Sequence, residues 1–247
     1  MPHSTTRICN WELAFDPEGR WLATGCGPVS VWPLARAYPQ VLHGHAATVL
    51  DVAFTPDGRR LVSGSLDNSV RLWPLDRSTG ERSRVLYQPT GALGQPRALR
   101  MAPDGSFVAF GDNLGAVRVL PLDGGPAREL SGFADMIIAV AVGPESRRVA
   151  AGAGYIHPKD ALVRVWDLTT GEVHVLDAGD RAQIVWLRFT DEGELLAASW
   201  KTLRRWDLSG AAPRIVDEVD VSQHERGDEV MIRDFTADGR ELLLLAG

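Results

Sequence analysis

The sequence predicts an all-β fold in which four-stranded antiparallel sheets repeat along the chain. Three observations support this prediction. A turn of the type Thr-Pro-Asp-Gly recurs six times, an alternating or apolar run precedes each copy, and a second such run follows it. Alternation of apolar and polar residues is typical of strands that bury one face.

The spacing of the turns defines the repeat. The second residues of the six turns are Pro17, Pro56, Pro103, Pro144, Asp191 and Ala237. A period of about 44 residues suits one four-stranded propeller blade. In five units a third run ends in a bulky residue, Pro or Asp, and Leu, and a shorter fourth run follows. The sequence therefore predicts a β-propeller with five complete blades and a two-strand partial sixth.

We expect one domain over residues 1–247. Its predicted blades lie near residues 8–45, 46–92, 93–133, 134–180 and 181–220, with the partial blade at 221–247. Because the sixth unit stops after its second strand, we expect the ring not to close in the usual way. An unpaired apolar edge invites association, so the open C-terminal edge "ELLLLA" would allow self-association or completion of the ring by another chain.

Residues 43–75 contain the fullest copy of the repeat. This copy has Gly44-His45, the turn Pro56-Asp57-Gly58, Ser63-Gly64-Ser65, Asp67 and Trp73. With these residues the chain resembles the WD-repeat β-propeller family, and the partial copies extend the resemblance over essentially all 247 residues.

The resemblance implies that His45, Ser63, Asp67 and Trp73 form a structural hydrogen-bonded network. The network would tie the loop entering a blade to its second and third strands. A buried carboxylate is tolerated when its oxygens are bonded, and His and Trp are suitable donors. The alternative is a hydrolytic Ser-His-Asp triad, which only geometry can identify.

Other units depart from this copy. Phe133, Leu114 and Leu120 replace its His, Asp and Trp in the third and fourth units. We therefore expect a complete polar network in one blade only.

Four arginines share one position of the repeat, namely Arg71, Arg118, Arg164 and Arg204. One interpretation is that the four guanidinium groups form a ring that binds an anion. The other is that their aliphatic stems pack on the sheets while their charged ends reach water.

Charge and composition argue against several partners and locations. The net charge is −6, and the basic footprint of a nucleic-acid-binding protein is missing. We therefore expect no nucleic-acid partner. We also expect no membrane partner, because no apolar run reaches the length of a membrane span. The N-terminus does not resemble a secretory signal, which predicts a cytoplasmic protein. The dominance of Arg over Lys predicts a bacterial source.

No catalytic motif emerges from the sequence. The six histidines are scattered over different units, and neither HExxH nor GxSxG occurs. The starts of the first strands offer Asn10, Arg97, Met136 and Gln183 to a central channel, and these are poor ligands for hard cations. We therefore expect no enzyme, no cofactor and no metal. The alternative is a propeller enzyme of the hydrolase or lactonase type with a metal in the channel.

The sequence favours a non-catalytic scaffold or sensor module that binds a protein or peptide on its loop face. The fourth unit has an insertion between its second and third strands, Gly154 to Asp160, and such insertions usually map to the binding face. The predicted partner-binding residues are Tyr155, Ile156, His157 and Lys159 in this loop, Trp200 and Lys201 in the next unit, and Trp11, Arg97, Asn113 and Gln183 beside them.

Overall fold

The computed structural model describes residues 12–25, 28–35, 40–76, 80, 82–89, 94–153, 162–178, 183–199, 201–220, 230–235 and 242–246, with Glu12 and the last two ranges as backbone only. Within these ranges the regular secondary structure consists of β-strands. The chain divides into two compact units, Met1–Leu99 and Arg100–Gly247.

The first unit contains two complete antiparallel sheets, blades 1 and 2. Blade 1 consists of β1 (Glu12–Phe15), β2 (Trp21–Gly25), β3 (Val29–Pro33) and β4 (Gln40–Leu42). Blade 2 consists of β5 (Val49–Phe54), β6 (Arg60–Ser65), β7 (Val70–Pro74) and β8 (Arg84–Tyr87). Each strand pairs with the next one along the chain.

The boundary between the units falls within β9 (Pro96–Met101), the first strand of blade 3. Blade 3 continues with β10 (Phe107–Asp112), β11 (Val117–Pro121) and β12 (Arg128–Leu130). Blade 4 consists of β13 (Ala139–Val142), β14 (Arg148–Gly152), β15 (Leu162–Asp167) and β16 (Val173–Asp177). Blade 5 consists of β17 (Ile184–Phe189), β18 (Leu195–Ser199), β19 (Thr202–Asp207) and β20 (Arg214–Asp220). A last pair, β21 (Val230–Phe235) and β22 (Leu242–Ala246), forms a two-stranded sheet.

These sheets confirm the predicted fold class. The chain is all-β, with five four-stranded antiparallel sheets that match propeller blades and a two-strand partial sixth. The single-domain organisation and the incomplete closure of the ring stay predictions.

The recurring turn joins the first and second strands of a blade. In blade 2, the Gly58 N–H donates to the Thr55 carbonyl at 2.8 Å, and the Asp57 carboxylate accepts the Arg59 N–H at 3.0 Å. Gly58 has a φ of 62°, a conformation that favours glycine. The turn therefore repeats in sequence because its last position needs a residue that tolerates positive φ.

Blade 4 carries the one described exception to that rule. Ser146 has a φ of 53° at the position where blades 1, 2, 3 and 5 have glycine. Its hydroxyl accepts the Asp104 N–H from the turn of blade 3 at 3.1 Å. This hydrogen bond between neighbouring turns offsets part of the strain that a side chain adds in the left-handed region.

Consecutive blades pack face to face within each unit. In the first unit, Ala23, Val29 and Val31 of blade 1 join one buried cluster with Val52 and Phe54 of blade 2. In the second unit, the facing surfaces of blades 4 and 5 form a similar cluster. The core of each unit therefore lies between sheets, and the two loop-bearing ends of the sheets are left for function.

Candidate functional site

The four residues predicted to form a network come together at one end of blade 2. His45 lies in the segment between β4 and β5, Ser63 on β6, Asp67 in the turn between β6 and β7, and Trp73 on β7. We call this end of a blade, where its first strand begins and its second and third strands are joined, the loop end.

Three hydrogen bonds connect the four side chains in series. The Trp73 Nε1–H donates to Ser63 Oγ at 2.7 Å. Ser63 Oγ lies 2.7 Å from His45 Nε2, and His45 Nδ1 lies 3.0 Å from Asp67 Oδ2. Because an indole can only donate, the series is satisfied when the Ser63 O–H donates to Nε2 and the Nδ1–H donates to Asp67.

Asp67 holds the two loops of the blade together. Its carboxylate accepts the Ala46 N–H at 2.8 Å and the Ser69 hydroxyl at 2.6 Å. Burial favours the protonated form of this carboxyl group, but the hydrogen bonds from Ser69, Ala46 and His45 outweigh it and lower the pKa of Asp67 to about 2. Asp67 is therefore a permanent anion at neutral pH.

His45 is neutral in this environment. Burial lowers the pKa of His45 below its ordinary value of 6.5, against the opposing effect of the Asp67 carboxylate. A neutral imidazole with its proton on Nδ1 matches the order of donors in the series.

The geometry does not support the hydrolytic triad. Ser63 is 0% exposed, and Trp73, which covers it, is 3% exposed. The Ser63 oxygen already accepts the indole proton, and a substrate carbonyl has no route to it. A nucleophile must reach its substrate, so the network can stabilise the blade but cannot attack a bound molecule.

Blade 3 uses a different polar arrangement, which the sequence did not predict. The Asp112 carboxylate accepts the Leu114 and Ala116 N–H groups, both at 2.9 Å, and pairs with Arg118. Arg118 also bonds Glu129 at 2.9 Å. An Asp at the end of β10 thus replaces the missing Asp at position 114, and its position two residues earlier concealed the equivalence.

In blade 4 the network position is apolar. The Phe133 ring packs edge-on against Trp166, with centroids 6.0 Å apart, and the Arg164 guanidinium lies 5.3 Å from the Phe133 centroid. Aromatic contact therefore takes the place of the His-Ser-Trp series.

The four shared arginines contact rings, carboxylates or carbonyls close to their own blades. Arg71 lies over Trp73 at 5.9 Å, and Arg204 donates to the Asp177 carbonyl at 2.6 Å and pairs with Glu218 at 3.0 Å. Arg118 pairs with Glu129 on the outer strand of its blade, and Arg164 lies over the Phe133 ring of the loop that enters blade 4. These contacts favour the packing role over a ring of cations.

Four of the ten predicted partner-binding residues lie in the described ranges, and each is at the loop end of its own sheet. Arg97 and Gln183 lie at the starts of first strands, and Asn113 and Lys201 lie between second and third strands. Arg97 and Lys201 are exposed, and the other two are half-buried. The predicted residues outside the described ranges are Trp11, Tyr155, Ile156, His157, Lys159 and Trp200.

Leu114 lies exposed at the loop end of blade 3. From the sequence it was identified only as a replacement for the Asp of the repeat. It is 58% exposed. Its turn packs closely on the neighbouring loop, because a Cβ on Gly115 would lie 2.6 Å from the Phe133 carbonyl, and Gly115 has a φ of 87°. The turn therefore presents an apolar side chain beside the Phe133 loop in a fixed position.

A comparison with known families decides the identity. A family model described as "WD domain, G-beta repeat" matches residues 37–74, which include β5 to β7 and all four network residues. The chain contains a WD repeat.

Several known proteins are similar to this WD-repeat chain. The Periodic tryptophan protein 2 homolog of Dictyostelium discoideum is 23% identical over 246 residues, which cover 94% of the chain and 24% of that relative. The WD repeat-containing protein SL1-17 of Schistosoma mansoni is 25% identical over 199 residues, which cover 77% and 62%. The Transcription initiation factor TFIID subunit 5 of Caenorhabditis elegans is 26% identical over 171 residues, which cover 67% and 24%.

The WD-repeat chain spans about a quarter of the first and third of these relatives and less than two thirds of the second. All three are eukaryotic proteins, so the bacterial source stays a prediction. In the described part of the chain no three His, Cys, Asp or Glu side chains are placed to hold a metal ion. That part also contains no helix that is long and apolar enough to cross a membrane.

The buried indole of the WD-repeat network gives the first prediction. Trp73→Ala should lower the free energy of unfolding by about 3–5 kcal/mol, because it leaves a large cavity. Trp73→Phe should cost about 1–2 kcal/mol, because it retains most of the packing and loses the donor to Ser63. Trp32 occupies the same position in blade 1 but is 39% exposed, so Trp32→Ala is the matched control and should cost far less. Denaturant unfolding of the three variants checks this, and equal losses for Trp73→Ala and Trp32→Ala would contradict it.

The pKa values of the network give the second prediction. Stability should fall as the pH drops below about 6.5, because the unfolded chain then binds a proton at His45 that the folded protein takes up only at lower pH. A further loss is expected between pH 3.8 and about 2, where the unfolded Asp67 protonates before the folded one. Melting temperatures of the parent and of His45→Asn across the upper window test the first step. The variant should lose less stability than the parent between neutral and mildly acidic pH, and parallel curves would rule out the His45 contribution.

Proposed function

We propose that this WD-repeat chain is a non-catalytic interaction module that binds a protein or peptide at the loop end of its blades. The observation that carries the proposal is Leu114, an apolar side chain 58% exposed on a turn that is fixed by the Asp112 hydrogen bonds. A rigid apolar group costs little entropy on binding, so it suits the role of an interface anchor.

The surroundings of Leu114 support an interaction surface. Ala134 is exposed and Phe133 is half-buried, and both belong to the loop whose carbonyl lies against Gly115. Asn113 adds an amide beside them. An apolar centre with a polar neighbour is the usual anatomy of a protein interface.

The buried network supports the non-catalytic part of the proposal. The arrangement that combines Ser, His and Asp has its Ser fully buried, and its groups are already bonded to one another. Its contribution is to fix the loops of blade 2, which is what a recognition surface needs.

The relatives agree with this class of function. One of them is named as a subunit of the transcription initiation factor TFIID, and the name describes a component of a larger assembly. This similarity supports the proposal that the present chain acts within an assembly.

Affinity capture with the full chain tests the proposal. The parent chain should retain a specific protein from its host, and Leu114→Asp should lower the recovered amount roughly tenfold or more, because a buried anchor contributes about 2 kcal/mol. Val173→Asp is the control, since Val173 is 43% exposed on the outer strand of blade 4 and lies away from the loop end.

Tyr155→Ala and Trp200→Ala extend the test to the other predicted loops. Reduced capture by these variants would enlarge the binding face to blades 4 and 5. If all three loop-end variants fold normally and capture the same protein as the parent, binding occurs elsewhere and the proposed face is wrong.

A further inference from the structure

In two blades the shared arginine receives a carboxylate from the outer strand of its own sheet. The strand register places Arg118 of blade 3 opposite Glu129, and the two side chains pair at 2.9 Å. Arg204 of blade 5 lies opposite Glu218, and these side chains pair at 3.0 Å. The position opposite the arginine is therefore one from which a glutamate reaches the guanidinium.

In blade 2 that position is occupied by a valine. Arg71 lies opposite Val85, and no carboxylate within the described ranges forms an ion pair with Arg71. The Arg71 guanidinium is held over the Trp73 ring at 5.9 Å, and a Cβ on Gly44 would lie 3.0 Å from its Nη1 atom. Arg71 thus has unused capacity to bind a carboxylate at a defined position.

The position opposite Arg71 can be reached from outside the sheet. Val85 is 42% exposed, and Arg71 is half-buried. β8 lies at the end of its four-stranded sheet, so an extended segment can lie along it. Neighbouring strands are about 4.8 Å apart, and the side chains of Arg and Glu together are long enough to bridge two such steps.

The charges along β8 favour an acidic segment over a basic one. Residues 81–89 contain two arginines, Arg82 and Arg84, against one acidic residue, Glu81. Both arginines are exposed. An excess of positive charge attracts carboxylates and repels basic segments.

Blade 4 has the same arginine in the opposite electrostatic setting. Arg164 lies opposite Val175, so it also lacks a glutamate on the outer strand. Residues 172–178, however, contain two acidic residues, Glu172 and Asp177, and no Lys or Arg. These negative charges oppose the approach of another carboxylate. Blade 4 is therefore a natural control for blade 2.

We propose that Arg71 and Val85 form a site for a glutamate side chain on an extended segment of a partner protein. The glutamate pairs with Arg71 as Glu129 pairs with the arginine of blade 3, and an apolar residue two positions away on the same side of the segment packs on Val85. This inference goes beyond the proposed loop-end function, because Val85 lies on the outer strand of blade 2.

Nuclear magnetic resonance titration of the ¹⁵N-labelled full chain tests the proposal. The probe is the capped peptide Thr-Val-Glu-Val-Thr, whose glutamate is its only charge, and Thr-Val-Gln-Val-Thr is its neutral counterpart. The glutamate peptide should shift the signals of Arg71 and Val85 and saturate at millimolar concentrations. The glutamine peptide should bind at least about tenfold more weakly, because it loses the charge-assisted hydrogen bonds.

Two substitutions locate the binding. Val85→Glu should lower the affinity for the glutamate peptide about tenfold or more, because it supplies Arg71 with a carboxylate from its own sheet. Val175→Glu makes the same change at an equivalent valine, which is 51% exposed on blade 4, and should bind the peptide like the parent. Arg71→Gln should lose binding as Val85→Glu does.

Each outcome of this titration decides the proposal. Equal affinities for the two peptides, or a Val85 signal that does not move, overturn it. A loss in Val175→Glu as large as the loss in Val85→Glu places the binding elsewhere and also overturns it. Since Arg71 contacts the buried Trp73 ring, Val85→Glu at its exposed position decides the matter if circular dichroism shows that Arg71→Gln does not fold.

Discussion

One steric contact recurs between consecutive blades and sets the spacing of the fold. A glycine near the end of a second strand leaves room for a residue at or just before the next blade's first strand. A Cβ on Gly64 would lie 2.8 Å from Pro96 Cβ, and one on Gly152 would lie 2.5 Å from Ile184 Cγ2. Gly25 and Gly111 face their neighbours in the same way. Close packing of this kind is sensitive to a single added methyl group, so these glycines fix how near two sheets can come.

The contact between sheets does not require the polar network of blade 2. Blade 2 joins its loops through His45 and Asp67, blade 3 through Asp112 and Arg118, and blade 4 through the Phe133 ring. The loop ends of blades 2, 3 and 4 thus use three different kinds of side-chain interaction. The close contact between a second-strand glycine and the next blade is present in each of them. Packed sheets with variable loop ends can present different side chains at each blade, as the exposed Leu114 illustrates. This division suits a protein whose function is recognition.

Much of the fold followed from the sequence because its signals are local. The turn that contains Gly58 and the alternating runs on either side of it located the strands, and the blade 2 residues His45, Ser63, Asp67 and Trp73 were identified by the resemblance to a known repeat. The Asp112 and Arg118 pair was missed because its Asp lies on the strand and not at the repeat position. The exposure of Phe15 was missed for another reason. Phe15 and Phe54 have the same local pattern in the sequence, yet Phe15 is 62% exposed and Phe54 is 7% exposed, because burial of a strand face depends on packing that is distant in sequence.

The glycine near the end of a second strand lets the following blade approach closely, and a double-mutant cycle on Gly152 and Ile184 tests this contact most directly. Gly152→Ala alone should destabilise the protein by roughly 1–3 kcal/mol through overpacking, and Ile184→Ala alone by about 2–5 kcal/mol through a cavity. In the double variant the added methyl group enters the space that Ile184 vacates. The total loss should therefore be smaller than the sum of the single losses by about 1 kcal/mol. Additive losses in denaturant unfolding would show that the two residues do not contact each other and would contradict the account.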